Sequence, residues 1–334
     1  MNGAAALEIN LPEEGKYYRI KGACEDVLPG YYLSSNDNPD GGRIACVKDA
    51  DASTIFYFKD GKLLAYKSGL YLAVNKDNWK FSSADGKTPA SNITFAGSPR
   101  IAGAYTVLSG DRYLHYTSTN YFGDLTVQID RCANDTDAKH DWTIEEVTEL
   151  PVTVSIGYAT LYAPVALAIP EGVTAHTVTL NGEWATLSEP LEVIPANTGV
   201  VLQAKANTYN FAITTADEFN GENDLNGSVA RTLVTKEENK AYYILAVVNE
   251  VVGFYNPING NDNTTFNNGG HKAYIAVDGA AQSNSVRFGE GTTGIENVTV
   301  ENGVKAIFDL TGRRVDSVTA PGIYIVNGKK VLLK

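Results

Sequence analysis

Apolar and polar residues alternate with period two in short runs along this chain, and the runs are broken by Gly, Asn and Asp. In "GLYLAVN" at residues 69 to 75, Leu70, Leu72 and Val74 fall on one face of a strand, and Tyr71, Ala73 and Asn75 on the other. Nearly the same phrase stands at "GYYLSSN" (30–36) and at "DRYLHYT" (111–117), with Tyr-Leu steps 39 and 42 residues apart. The flanks repeat too. A β-prone segment precedes each copy ("KYYRIKG" 16–22, "GKLLAYK" 61–67, "AYTVLSG" 104–110). A short strand follows each ("RIACV" 43–47, "WKFSS" 79–83, "LTVQI" 125–129), and a fourth closes the unit ("DASTIFYF" 51–58, "PASNITF" 89–95, "KHDWTIEEV" 139–147). Three copies of a four-strand unit predict twelve strands. A single unit of this size cannot bury its apolar face, whereas three together can.

This order resembles a β-trefoil, three four-stranded lobes about a pseudo-threefold axis, over residues 14–148. β-Trefoils often bind sugars. The Gln-x-Trp that closes each lobe in the ricin-like lectins is absent, the closes here reading "IFYF", "ITFA" and "WTIE". The resemblance nonetheless directs attention to the turns after the repeated phrase. Sugar recognition combines an aromatic face with carboxylates and amides that meet hydroxyls. The second lobe offers Asp77, Asn78 and Trp79, the third Asn120, Tyr121 and Asp124, and the first Asp37 and Asn38 without an aromatic. Each of these residue types also suits a tight turn for purely local reasons.

Beyond Pro151 the strands lose the threefold order. Val152, Val154 and Ile156 alternate, "IPEG" turns, and Asn181-Gly182 marks a hairpin. About eight strands over 150–290 predict a β-sandwich. The phrases "YATLYAPVALAIPEGVTAHTV", "IPANTGVVLQAK" and "NNGGHKAYIAV" are similar to a module of secreted proteins of Bacteroidetes-type bacteria, where it serves as spacer or platform. The tail, 295–334, reads as four short strands. Its "IFDLTGRRV" and "PGIYIVNGKKVLLK" resemble the C-terminal sorting domain of type IX secretion substrates, although "GIENVTVEN" stands where such domains usually carry Pro-Asn-Pro. That resemblance implies a secreted or outer-surface protein that uses the type IX machinery. The fold expected is therefore all-β: an N-terminal β-trefoil, a middle β-sandwich and a short C-terminal β tail.

Composition narrows the function. With 27 Lys+Arg against 39 Asp+Glu the net charge is −12 and no basic run exists, which argues against nucleic acid. Nineteen Tyr, 31 Gly and a single Met fit short strands and tight turns. No run of 18 apolar residues forms a membrane-spanning helix, and "MNGAAALEIN" lacks the parts of a signal peptide, so one is expected to have been removed or to lie upstream. Cys24, Cys46 and Cys132 show no zinc spacing and permit one disulfide or three thiols. Asn261, Asp262 and Asn263 lack the order of a calcium loop. His115, His140, His176 and His271 are scattered, and no nucleophile, phosphate or zinc-protease motif appears, so no catalytic residue, metal or cofactor is expected. These readings point to a non-catalytic carbohydrate-binding protein whose partner is a glycan or another surface ligand, of unknown oligomeric state. The alternatives are the accessory region of a larger secreted glycosidase or peptidase, and a structural surface protein without small ligand.

Overall fold

The computed structural model describes residues 11–24, 30–37, 44–75, 78–121, 124–132, 138–182, 184–249, 251–257, 263–279, 283–288, 307–309, 314–315, 322–326 and 329–333. Its regular structure is strand throughout, apart from two short 3-10 turns at Ala52–Thr54 and Ala138–His140. It divides into two compact units, Met1–Phe288 and Gly289–Lys334.

The first twelve strands follow the repeat in the sequence. They are β1 (Lys16–Gly22), β2 (Tyr32–Asp37), β3 (Ile44–Val47) and β4 (Ile55–Lys59), then β5 (Lys62–Ala65), β6 (Leu72–Asn75), β7 (Asn78–Phe81) and β8 (Thr94–Gly97), then β9 (Tyr105–Ser109), β10 (Arg112–Tyr121), β11 (Asp124–Cys132) and β12 (Asp141–Val147). The first and last strands of the lobes pair around a nearly closed barrel: β12 with β1, β1 with β4, β4 with β5, β8 with β9, and β9 with β12. Between β5 and β8 the described link is the Ile93 amide donating to the Gly61 carbonyl at 2.7 Å. The middle strands form three hairpins, β2–β3, β6–β7 and β10–β11. Six barrel strands and three hairpins in this chain order make the β-trefoil arrangement.

Strands β4 and β5 are buried on both faces, which explains why "IFYF" is a continuous apolar run rather than an alternating one. Tyr18, Ile20, Phe56, Phe58, Leu63 and Ala65 point inward with Leu33, Leu72, Leu114 and Trp142. Tyr17, Ile55, Tyr57, Leu64, Tyr66 and Val147 point outward, into a second core shared with Leu150, Val152, Val154, Leu167, Leu202 and Phe211. Covering that outward face is the work of the strands that follow.

Those strands number sixteen among the described residues: β13 (Glu149–Val154), β14 (Tyr158–Leu161), β15 (Ala166–Ala168), β16 (Val173–His176), β17 (Val178–Asn181), β18 (Trp184–Leu187), β19 (Val193–Ile194), β20 (Val200–Ala204), β21 (Asn207–Thr214), β22 (Leu225–Ser228), β23 (Thr232–Thr235), β24 (Lys240–Val248), β25 (Val251–Tyr255), β26 (Thr265–Asn268), β27 (Lys272–Asp278) and β28 (Ser285–Phe288). The expected count of about eight was too low because long apolar phrases are cut by turns. Gly157, at φ +81°, separates β13 from β14, and Pro164 lies between β14 and β15. A four-stranded sheet runs β13, β21, β15, β19, a three-stranded one β14, β20, β16, and a seven-stranded one β17, β18, β28, β25, β24, β27, β22, with β23 and β26 paired alone. The Asn-Gly hairpin forms as expected: Asn181 faces Trp184 in the β17–β18 pair, with Gly182 at φ +59°.

Contact between barrel and sandwich is partly backbone against backbone. A Cβ on Gly69, at φ +67°, would sit 2.7 Å from the Gly270 Cα and 2.8 Å from the Arg231 nitrogen. The Arg231 amide donates to the Gly69 carbonyl at 2.7 Å, and the Tyr66 hydroxyl donates to the Pro151 carbonyl at 3.0 Å. No other residue type allows this approach.

In the second unit, β29 (Ile307–Asp309), β30 (Arg314–Val315), β31 (Gly322–Val326) and β32 (Lys329–Leu333) form one antiparallel sheet in the order β30, β29, β31, β32. The expected strand "VTVEN" lies outside the described residues.

Candidate functional site

The turns singled out in the sequence fall at the ends of the three hairpins. In the first lobe Asp37 pairs with Ile44 at the end of β2, beyond an irregularity that starts after Leu33. In the second, Asn78 opens β7 opposite Asn75 and is exposed. In the third, Asn120 faces Leu125 and Tyr121 faces Asp124, the last pair before the turn. Pairing thus brings Asn120, Tyr121 and Asp124 together at one hairpin end, with Asp37 and Asn78 at the corresponding ends of the other two. Asn38 and Asp77 lie outside the described residues.

Trp79 does not belong with them. Adjacent strand residues point to opposite faces, so an exposed Asn78 sends Trp79 inward. It is 2% exposed, packs in the barrel core, and its indole N–H donates to the Tyr113 carbonyl at 3.0 Å. The ring expected to stack on a sugar is a core side chain whose one polar atom is satisfied inside the protein.

The other polar stretches are structural as well. Asp141 is fully buried, and both its carboxylate oxygens accept from Arg100, from Nε at 2.8 Å and Nη2 at 3.0 Å. Trp142 donates from its indole to the Leu114 carbonyl at 2.8 Å. Cys24 and Cys46 are free and buried, and burial pushes the Cys46 thiol far above the usual range. The Lys236 ammonium donates to the carbonyl oxygens of Asn256 (2.9 Å), Pro257 (2.5 Å) and Asn263 (2.6 Å). It therefore takes up the oxygen of Asn263, one of the three considered for calcium; Asn261 and Asp262 lie outside the described residues.

A concavity that the sequence did not announce lies where barrel and sandwich meet. It has a volume of about 550 Å³ and is lined from both sides, by Arg19 and the Ala50–Ala52 loop, by the link from β12 to β13, and by Thr208 and Asn210 of β21. No motif marks it, because its residues come from four separated segments.

No family model matches the chain, and no curated protein matches it. Among solved structures it is similar to one described as "BEL beta-trefoil apo crystal form 3", at 17% identity and a TM-score of 0.33, over 41% of this chain and 97% of that one. The class of the protein, an all-β chain opening with a β-trefoil, rests on the strand pairing described above.

Proposed function

We propose that this chain is a non-catalytic carbohydrate-binding protein, exported to the cell surface or the medium, that holds its ligand at the hairpin ends of the trefoil. The observation that carries the reading is the register of the third hairpin, in which Tyr121 stands opposite Asp124 beside the turn and Asn120 is the next residue of the strand. Amide, carboxylate and aromatic residue types at one hairpin end are those that supply acceptors and donors for hydroxyls and a face for sugar C–H groups. With Trp79 in the core, Tyr121 is the aromatic of this reading. Asn78 offers an amide at the equivalent end of the second lobe. Export is supported by the likeness of "IFDLTGRRV" and "PGIYIVNGKKVLLK" to a sorting domain, and type IX machinery is the partner this implies.

A glycan array probed with the labelled chain tests the binding. The expected result is a defined set of positive glycans whose signal falls at least tenfold in Tyr121→Ala and Asp124→Asn, with melting temperatures kept. No glycan signal for the wild type would overturn the reading and favour a structural surface protein.

A further inference from the structure

We propose that the groove between barrel and sandwich is a second ligand site, separate from the hairpin ends, that takes a short neutral oligosaccharide. Arg19 is the reason to look there. On β1 it shares the outward face with Tyr17, so burial of Tyr17 in the shared core sets the guanidinium at the groove's edge. Its Nε donates to the Thr54 hydroxyl at 3.1 Å, and that hydroxyl donates to the Asp51 carbonyl at 2.8 Å. The chain of bonds fixes the plane of the guanidinium and uses one of its five N–H groups.

Two of the nearby carboxylates are engaged elsewhere. Glu145, opposite Arg19 in the register, pairs with Lys21 and accepts from the Tyr32 hydroxyl; Glu146 pairs with Lys16 at 3.1 Å. Among the described residues, Arg19 has no acidic partner of its own. A half-buried, oriented arginine with its terminal nitrogens uncommitted is a donor fork awaiting acceptors.

The facing wall supplies the rest. Register sets Pro151 opposite Asn210 and Thr153 opposite Thr208, all on the outward side of β13 and β21, and the two threonine hydroxyls bond each other at 2.9 Å. Asn210 is exposed, and Glu149 adds an acceptor at the rim. Vicinal hydroxyls can accept from the Arg19 fork while donating to the amide oxygen and the carboxylate. The Pro151 ring offers an aliphatic surface for sugar C–H groups. Asp51, Glu146 and Glu149 around the groove oppose a phosphate or a carboxylated ligand, so the sugar is neutral. The volume lies within the range of small-molecule sites.

The test uses the full chain and a panel of neutral oligosaccharides, titrated calorimetrically whether or not they give a signal on the array. Arg19→Gln and Arg19→Lys are expected to weaken one binding component at least tenfold, the lysine because it lacks the fork, and Asn210→Ala severalfold. Tyr121→Ala and Asn78→Ala leave that component unchanged. Should the Arg19 variants fail to fold, Asn210→Ala, at an exposed strand position, decides in the same way. Wild-type affinity in the folded variants, or no binding of any neutral oligosaccharide at millimolar concentration, would overturn the proposal. Loss confined to the Tyr121 variant would uphold the hairpin reading and sink this one.

Discussion

His271 is the residue where acid should act first. It stands in the left-handed region at φ +56°, buried between the sandwich and the trefoil, with its ring 4.6 Å from that of Tyr66 and 6.0 Å from that of Tyr17. Nδ1 lies 3.2 Å from the Tyr162 carbonyl, an acceptor only, so the neutral ring carries its proton there. Burial, reinforced by the charge of neighbouring Lys272 and opposed by the bond to Tyr162, lowers its pKa to about 4. The unfolded chain takes up this proton near pH 6.5, and the folded chain refuses it until about pH 4. Stability is therefore full above pH 6.5 and falls as pH drops toward 4, by about 3 kcal/mol. Urea unfolding at pH 7 and pH 4.5 measures the loss. His271→Asn, which tolerates the same backbone, should flatten that part of the profile; an unchanged acid loss in the variant would assign it to other groups. Trp79 belongs at this scale too. Trp79→Ala should cost about 3–5 kcal/mol in chemical denaturation, as core truncations do. A binding defect in that variant would report unfolding rather than a lost contact.

Strands and their order were readable because repetition is independent of burial. The three Tyr-Leu steps and their flanks place all twelve strands of the trefoil within a few residues of where they form. Which face of a strand meets what was not readable. In "KYYRIKG" the pattern does not say that Tyr17 leaves the barrel for a second core while Tyr18 enters the first. Nor does "KDNW" say that Trp79 points inward, since the turn that fixes the phase of the strand is set by tertiary pairing. The groove at Arg19 was hidden for the same reason, its walls meeting only when two sheets pack. Gly69 tests the packing directly. Gly69→Ala adds a Cβ against backbone that has no room to retreat and strains a left-handed residue, and should destabilise by roughly 2–5 kcal/mol in equilibrium denaturation. Gly61→Ala, with open space around its Cβ, should cost only the left-handed strain, about 1–2 kcal/mol.

For the first unit as a whole, the shared core predicts one cooperative event. Residues to Phe288 should unfold in a single calorimetric transition, because separating barrel from sandwich would expose Tyr17, Ile55, Tyr57, Leu64, Tyr66 and Val147 together. Residues 14–148 expressed alone should bind a hydrophobic dye and melt lower; two resolved transitions in the longer chain would contradict this.

The glycine of "GLYLAVN" also breaks the symmetry that its phrase announces. At the equivalent place the first lobe has Gly30, whose Cβ would meet only the Lys21 side chain at 3.6 Å, and the third has Asp111, which is exposed. The three lobes are alike in fold but not exchangeable. A circularly permuted chain, with its ends moved round by one lobe and the sandwich fused to the new end, would bring a different lobe's turn against Gly270. Pseudosymmetric proteins are often treated as tolerant of such rearrangement, but here one permutation frame out of three keeps the docking, and Gly69 identifies it.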